Sequence, residues 1–279
     1  MEAIKSAARG FLRRVRMHDS ARLFWWRGPP YNAGDWIGPY LFKAISGVHP
    51  KFGVPSNKSL RTVYITVGSL ARWFCENTIV WGSGIIGPGE PRWQPLRTHA
   101  VRGPYTRERM RQMGFACPEV YGDPAILMPL FYTPNVVKNR DRIGVVPHYS
   151  NFAEAERIFF TRPEFKVIDI RQPPEHVINE IASCEWVFSS SLHGLILSHA
   201  YRIPAGWVEF SLPPGGDRTK FLDYFAGANL FSVPKPLLVT QTMPLDEIRD
   251  YVRGCPFPDL DPLISPLMES CPFIRLSRS

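Results

Sequence analysis

Short apolar runs alternating with helical stretches predict an α/β protein, with two Rossmann-like halves facing a cleft. Three observations carry that prediction. Several runs are β-branched or apolar and stop at glycine or proline, as strands do where they leave a sheet. Helical patterns separate them, which implies βαβ units and parallel sheets. A polar stretch, Thr133 to Arg142, interrupts the alternation midway and reads as a linker. The division expected is therefore a basic segment over residues 1–22, a first domain over 23–135 and a second over 142–279 with a Pro-rich tail.

In the first half, a helical pattern spans Ile37 to Ile45, and Arg61–Val67 reads as a strand closed by Gly68. Thr78–Trp81 is a strand running into Gly82 and Gly84, and Thr106–Met113 is a helix ended by Gly114 at a C-cap position. After the linker, strands are expected at Ile143–Val146, Lys166–Ile170, Trp186–Ser189 and Ala205–Val208. Helices are expected at Phe152–Phe160, Glu175–Ala182 and Leu195–Tyr201. The tail from Pro234 onward shows one helix, Leu245–Val252.

Of 279 residues, 44% are hydrophobic and 21% charged, which excludes a disordered chain. A formal net charge of +8 favours anionic partners: a phosphorylated substrate, an acidic membrane or nucleic acid. The basic residues are too dispersed after the N-terminal segment to favour nucleic acid. Five cysteines without a C-x-x-C pair argue against zinc and against a full disulfide framework, so reduced thiols in the cytosol are expected. No apolar run is long enough to span a bilayer, and the N-terminus lacks the apolar stretch of a signal peptide. That N-terminus places Lys5, Arg9, Arg13, Arg14, Arg16 and Arg22 around Ile4, Ala8, Phe11, Leu12 and Val15. It reads either as an amphipathic helix on an anionic membrane surface or as a solvated basic start.

The segments able to carry chemistry lie at strand ends. Ser189, Ser190, Ser191, Leu192, His193 and Gly194 join a strand to a helix, where unpaired N–H groups and the helix dipole attract anions. His193 adds a donor and proton carrier; the other reading is a capped helix with a core histidine. Asn32–Asp35 precedes a helix, with Gly34 permitting a tight turn; Asp35 reads as the helix cap or as a carboxylate for substrate hydroxyls. Arg102, beside Gly103 at a strand end, could fork onto phosphate or carboxylate, or form a surface salt bridge. Gly122-Asp123-Pro124 reads as a turn shaping the cleft, and His148 as a contact to an acceptor or a structural histidine. Arg218 and Lys220 follow a glycine pair in a probable mobile loop, and such a charge run is usually a solvated face. P-loop, dinucleotide and serine-hydrolase signatures are all missing.

Taken in order, these pieces resemble the polysaccharide pyruvyl transferase family. The likeness rests on Asn32–Asp35, on Trp81, Gly82, Ser83 and Gly84, on Arg102-Gly103 and on Gly122–Pro124. It continues through Pro147-His148 and Ser189–Gly194, running from about Leu23 to about Tyr224 with wording nearest the ketal-forming members. The resemblance implies a fold similar to the glycosyltransferase B type, phosphoenolpyruvate as donor, and no further cofactor. It implies a lipid-linked oligosaccharide with a terminal hexose as acceptor, and a cyclic pyruvate ketal as product. By the same resemblance Arg102, Leu192 and His193 would contact the donor. Some members carry arginine where this chain has Ser191, and Lys220 or Arg218 is the expected substitute. His193 is then expected as proton carrier, with Asp35 or His148 orienting or deprotonating the acceptor and Asn32, Gly34, Ser83 and Ser189–Ser191 contributing to binding. Such an enzyme would work in the cytoplasm, on the inner face of the plasma membrane if the basic segment binds lipid. The competing readings are a nucleotide-sugar glycosyltransferase in the same cleft and a non-catalytic carbohydrate- or membrane-binding subunit.

Overall fold

The computed structural model describes residues 21–211, 217–233 and 235–274. The expected basic helix over 1–22 lies almost wholly outside the described residues, as does the glycine pair at 215–216. Two five-stranded sheets, parallel at every pairing, organise the chain as an α/β fold of Rossmann-like character. The first contains β1 (Arg22–Phe24), β2 (Lys51–Phe52), β3 (Val63–Ile65), β4 (Thr78–Trp81) and β5 (Arg97–Ala100) in the order β2-β1-β3-β4-β5. The second contains β6 (Ile143–Val146), β7 (Phe165–Val167), β8 (Trp186–Ser189), β9 (Ala205–Glu209) and β10 (Leu237–Leu238) in the order β10-β9-β8-β6-β7.

Both orders reverse direction once. From β1 the chain goes to β2 on one side and then to β3 on the other; from β6 it goes to β7 and then to β8. Ligands in such sheets lie beyond the carboxyl ends of the strands at that reversal. The register Val146↔Ser189 brings the ends of β6 and β8 side by side, so the residues that follow leave the sheet together.

Helices α1 (Ala33–Ser46), α2 (Pro104–Gln112), α3 (Met128–Phe131), α4 (Phe152–Phe159), α5 (Pro174–Ala182), α6 (Leu192–Ala200), α7 (Thr219–Gly227), α8 (Leu245–Gly254) and α9 (Asp261–Glu269) cover the sheets. The central strands β6 and β9 are buried along their whole length, as expected where a parallel sheet is covered on both faces. None of the described helices is long and apolar enough to cross a membrane. All five cysteines are free.

Several sequence expectations change here. α6 begins at Leu192 rather than Leu195, which takes Leu192, His193 and Gly194 into its first turn. The segment from Asp217 is no solvated face: Thr219 to Gly227 form α7, in which Lys220 and Asp223 are buried. A second tail helix, α9, also forms, hidden in the sequence by Pro262 and Pro266. It does not stay with the second sheet. Trp81 of β4 donates its indole N–H to the Leu267 carbonyl (2.9 Å), and Phe273 packs on Phe42 (4.6 Å) and Trp81 (5.1 Å).

The halves share a hydrophobic core that runs from Leu23, Ile37 and Trp81 to Val187, Leu195 and Trp207. A backbone bond from Ala33 to the Ile170 carbonyl (2.8 Å) ties the start of α1 to the second half. That bond fixes the orientation of the helix that carries Asp35.

Candidate active site

A pocket of about 310 Å³ opens where the two reversal points meet. Asn32 and Asp35 enter it after β1, Ser69 after β3, His148 after β6, Ser191 to His193 after β8, and Lys220 after β9. Two helix N-termini border it. Asn32 caps α1, its Oδ1 accepting from the Gly34 N–H at 3.0 Å, and Ser191 occupies the cap position of α6. Exposed N–H groups and aligned dipoles at such ends favour an anion.

Asp35 therefore does not cap its helix. Asn32 has taken that role, because a cap must precede the first turn, and Asp35 sits within it. Its carboxyl is left in the pocket wall, and burial pushes its pKa up to about 7. It can gain or lose a proton near neutrality.

His193 lies against the backbone of Gly34; a Cβ on Gly34 would collide with the imidazole ring. Only glycine at this position lets α1 and α6 approach so closely. His193 Nε2 stands 3.8 Å from Asp123 Oδ2, too far for a hydrogen bond, and this buried nitrogen has no hydrogen-bond partner among the described residues. Burial lowers its pKa; Asp123 opposes that, while Arg102 and Lys220 reinforce it. Desolvation prevails, so the imidazole is neutral until negative charge arrives. Asp123 is held in place by the N–H groups of Gly68 (3.2 Å) and Ala125 (3.0 Å). The turn expected at Gly122–Pro124 thus also places a carboxylate behind the histidine.

Lys220 places an ammonium in the pocket wall. It is 7% exposed, and none of the described carboxylates lies within ion-pair range. Burial, reinforced by Arg102, lowers its pKa to about 8. Arg218 takes no part: it points away and forks onto Glu209 at 2.8 and 2.7 Å.

Arg102 is neither in the pocket wall nor in a surface salt bridge. It is fully buried beneath the site, against the bare Cα of Gly84. Its guanidinium donates to Asp223 (3.0 Å), Ser69 Oγ (2.6 Å) and the Ile85 carbonyl (2.5 Å). Because Asp223 belongs to α7, the pair anchors the helix bearing Lys220 to the first sheet. Asp223 also accepts from the N–H (3.0 Å) and hydroxyl (2.7 Å) of Thr106 in α2.

Other expected contacts are structural. Ser189 Oγ is engaged with the Val146 carbonyl (2.7 Å) and the Ser191 N–H (3.0 Å). Ser190 Oγ accepts from the His148 N–H (2.9 Å), and Ser83 Oγ donates to the Gly68 carbonyl (2.8 Å). These hydroxyls shape the turns rather than the pocket surface. His148 does line the pocket, but Nδ1 is 2.8 Å from Ser150 Oγ, and burial, with Lys220 near, lowers its pKa to about 4. It offers a neutral ring, not a base poised at pH 7. Trp26, Pro29, Ser69, Leu70, Arg72, Trp73, Ile86 and Tyr149 also line it without having been singled out as site residues.

A family model for polysaccharide pyruvyl transferases matches residues 57–211, more than half of the chain. The chain belongs to the polysaccharide pyruvyl transferase family. The matched segment carries Asp123, His148 and His193, whereas Asn32 and Asp35 precede it and Lys220 follows it. The pocket thus unites the family segment with both of its flanks. The chain is also similar to an uncharacterized protein of Acanthamoeba polyphaga mimivirus, at 31% identity over 171 residues. That alignment covers 57% of this chain and 58% of the relative, so the chain spans little more than half the relative's length.

Proposed function

We propose that this chain is a ketal pyruvyltransferase, moving the pyruvyl group of phosphoenolpyruvate onto two hydroxyls of a terminal hexose in a lipid-linked polysaccharide repeat and releasing phosphate. The supporting observation is the meeting of the Asp35 carboxyl, the His193 imidazole and the Lys220 ammonium in one pocket beyond both sheets. We read the two sheets as a glycosyltransferase B-like pair facing that pocket. We take the reaction to be cytoplasmic, with the basic residues of segment 1–22 suited by their charge to an anionic inner face of the plasma membrane.

In this reading the donor's negative groups settle between Lys220 and the N-termini of α1 and α6. Their charge raises the affinity of His193 for a proton, since a nearby anion favours the charged imidazolium. His193 then protonates C3, making C2 electrophilic. Asp35, ionised to a large extent near its pKa of about 7, accepts the proton of the first sugar hydroxyl as its oxygen bonds to C2. Phosphate leaves the tetrahedral phospho-ketal with the C2–O electron pair. The second hydroxyl then closes the ring, its proton leaving with phosphate. One hydroxyl proton in effect becomes the third hydrogen of the new methyl group, and the other departs on phosphate. Fixed cationic groups stabilise charge as it develops on phosphate, and every step as drawn uses side chains of this chain.

The test has two arms. Phosphoenolpyruvate should raise the melting temperature, as a ligand of the folded state must. With a lipid-linked oligosaccharide from the protein's own host, it should also release phosphate and add a pyruvate ketal to the product mass. Protection by a nucleoside diphosphate, with none by phosphoenolpyruvate, would transfer the site to a nucleotide-sugar glycosyltransferase.

A further inference from the structure

The pocket lining has two chemically distinct parts. Asp35, His193 and Lys220 give it polar groups, and Trp26 and Trp73, in contact with each other beside Arg72, give it an aromatic ledge. Trp26 is 45% exposed, although its neighbour Trp25 is buried. The two indoles stand 6.4 Å apart at 38°. Both are braced from behind. Trp26 lies along the bare backbone of Gly28, where a Cβ would sit 2.6 Å from the ring, and Trp73 packs on Phe24 at 4.9 Å.

A 45% exposed indole packed on a second, partly buried one in the wall of a polar pocket suits binding better than core packing, because a folded protein gains little by leaving such a ring wet. Their geometry selects the ligand. A planar base held between two rings needs parallel faces about 7 Å apart, twice the ~3.5 Å contact distance. These faces are closer and tilted, forming a shallow ledge. A pyranose suits it: one face of the chair presents C–H groups to the indoles and leaves the hydroxyls at its rim for the polar side chains of the same pocket.

We infer that Trp26 and Trp73 form the acceptor platform, holding a terminal hexopyranose by its apolar face and setting which sugars are accepted. The inference rests on the transferase reading above and adds the residues that define the acceptor. Platform residues contribute to ground-state binding, so their loss should raise acceptor KM and leave kcat nearly intact.

The probes are methyl α-D-glucopyranoside, methyl α-D-mannopyranoside and methyl α-D-galactopyranoside, followed by saturation-transfer NMR in the presence of phosphoenolpyruvate. Wild type should show transfer to the C–H protons of one ring face of at least one hexoside. Trp26→Ala and Trp73→Ala should each abolish it, Trp26→Phe should keep it, and thermal protection by phosphoenolpyruvate should be unchanged in all three. With the lipid-linked acceptor, both alanine variants should raise KM roughly tenfold or more with kcat within about threefold. No transfer to any hexoside in wild type, an unaltered acceptor KM in both alanine variants, or transfer from these indoles to the base of uridine diphosphate instead would overturn the platform. Loss of phosphoenolpyruvate protection and phosphate release in wild type, with tryptophan-dependent hexoside transfer intact, would remove the donor reading and leave the platform standing.

Discussion

Replacing Asp35 with asparagine should make the protein more stable and less active, with a stability gain that grows with pH. The folded-state pKa is about 7, against an ordinary value of 3.8. Below about pH 4 the carboxyl is protonated whether the chain is folded or not, and its burial carries no ionisation cost. As pH rises from about 4 to about 7 the unfolded chain releases this proton first, so folding stability declines across that window and levels off above it. At about 1.4 kcal/mol for each tenfold change, the full cost above pH 7 is about 4 kcal/mol, with solvent access through the pocket reducing it towards ~2 kcal/mol. Roughly half of the cost accrues between about pH 5.5 and about pH 8. Asparagine has nearly the same shape and does not ionise. The melting-temperature advantage of Asp35→Asn over wild type should therefore widen by on the order of 5 °C between those two pH values. Phosphate release should fall about a hundredfold or more, as for loss of a general base. Paired melts across the pH series are the assay. A pH-independent advantage, or none, would refute the burial of an ionisable carboxyl on which the acid–base assignment stands.

Gly34→Ala should displace the His193 ring without unfolding the protein, so turnover should approach that of a His193→Ala variant, down about a hundredfold, while circular dichroism stays native. Lys220 loses its charge as pH rises through about 8, so phosphoenolpyruvate protection should weaken above that pH; Lys220→Arg, charged throughout, should flatten the alkaline decline in titrations followed by thermal shift. Asp223→Asn leaves Arg102 buried without its counter-charge and should cost ~3–5 kcal/mol in denaturant unfolding. Arg202→Ala, which breaks a half-exposed pair with Asp261, should cost less than about 1 kcal/mol in the same experiment.

Strands Thr78–Trp81, Ile143–Val146 and Trp186–Ser189 occupy the spans expected from their apolar runs. The stretch 133–142, read as a linker, contains neither helix nor strand, yet the halves it joins share one core. Strands of two or three residues, such as Lys51–Phe52 and Leu237–Leu238, are too short to show a period. His193 is legible from its place in a turn between strand and helix, where N–H groups and the helix dipole favour an anion, although Ser189 and Ser190 beside it serve the turn itself. Asp35 was harder: a carboxylate near a helix start reads as a cap, and only the placement of Asn32 frees it. Lys220 is expected at the donor through the family resemblance alone; by its own neighbours, Asp217 and Arg218, the run reads as a wet surface. Its spacing with Asp223, Tyr224 and Gly227 nevertheless matches one face of a helix, a stripe that the fold buries. Arg102 shows the opposite limit. Sequence can place an arginine at a strand end, but only tertiary packing decides whether its donors meet ligand or an aspartate from a helix 121 residues away.

The return of the tail to the first sheet makes the molecule hard to divide. A cut within the 133–142 linker would release a first fragment with Trp81 lacking its Leu267 acceptor and Phe42 stripped of Phe273. Two fragments split there should reassemble only when the second retains residues through 274, which makes its terminal stretch the natural clasp of a split-protein reporter. Any fusion partner belongs beyond that clasp, on a spacer long enough not to pull Phe273 from its seat.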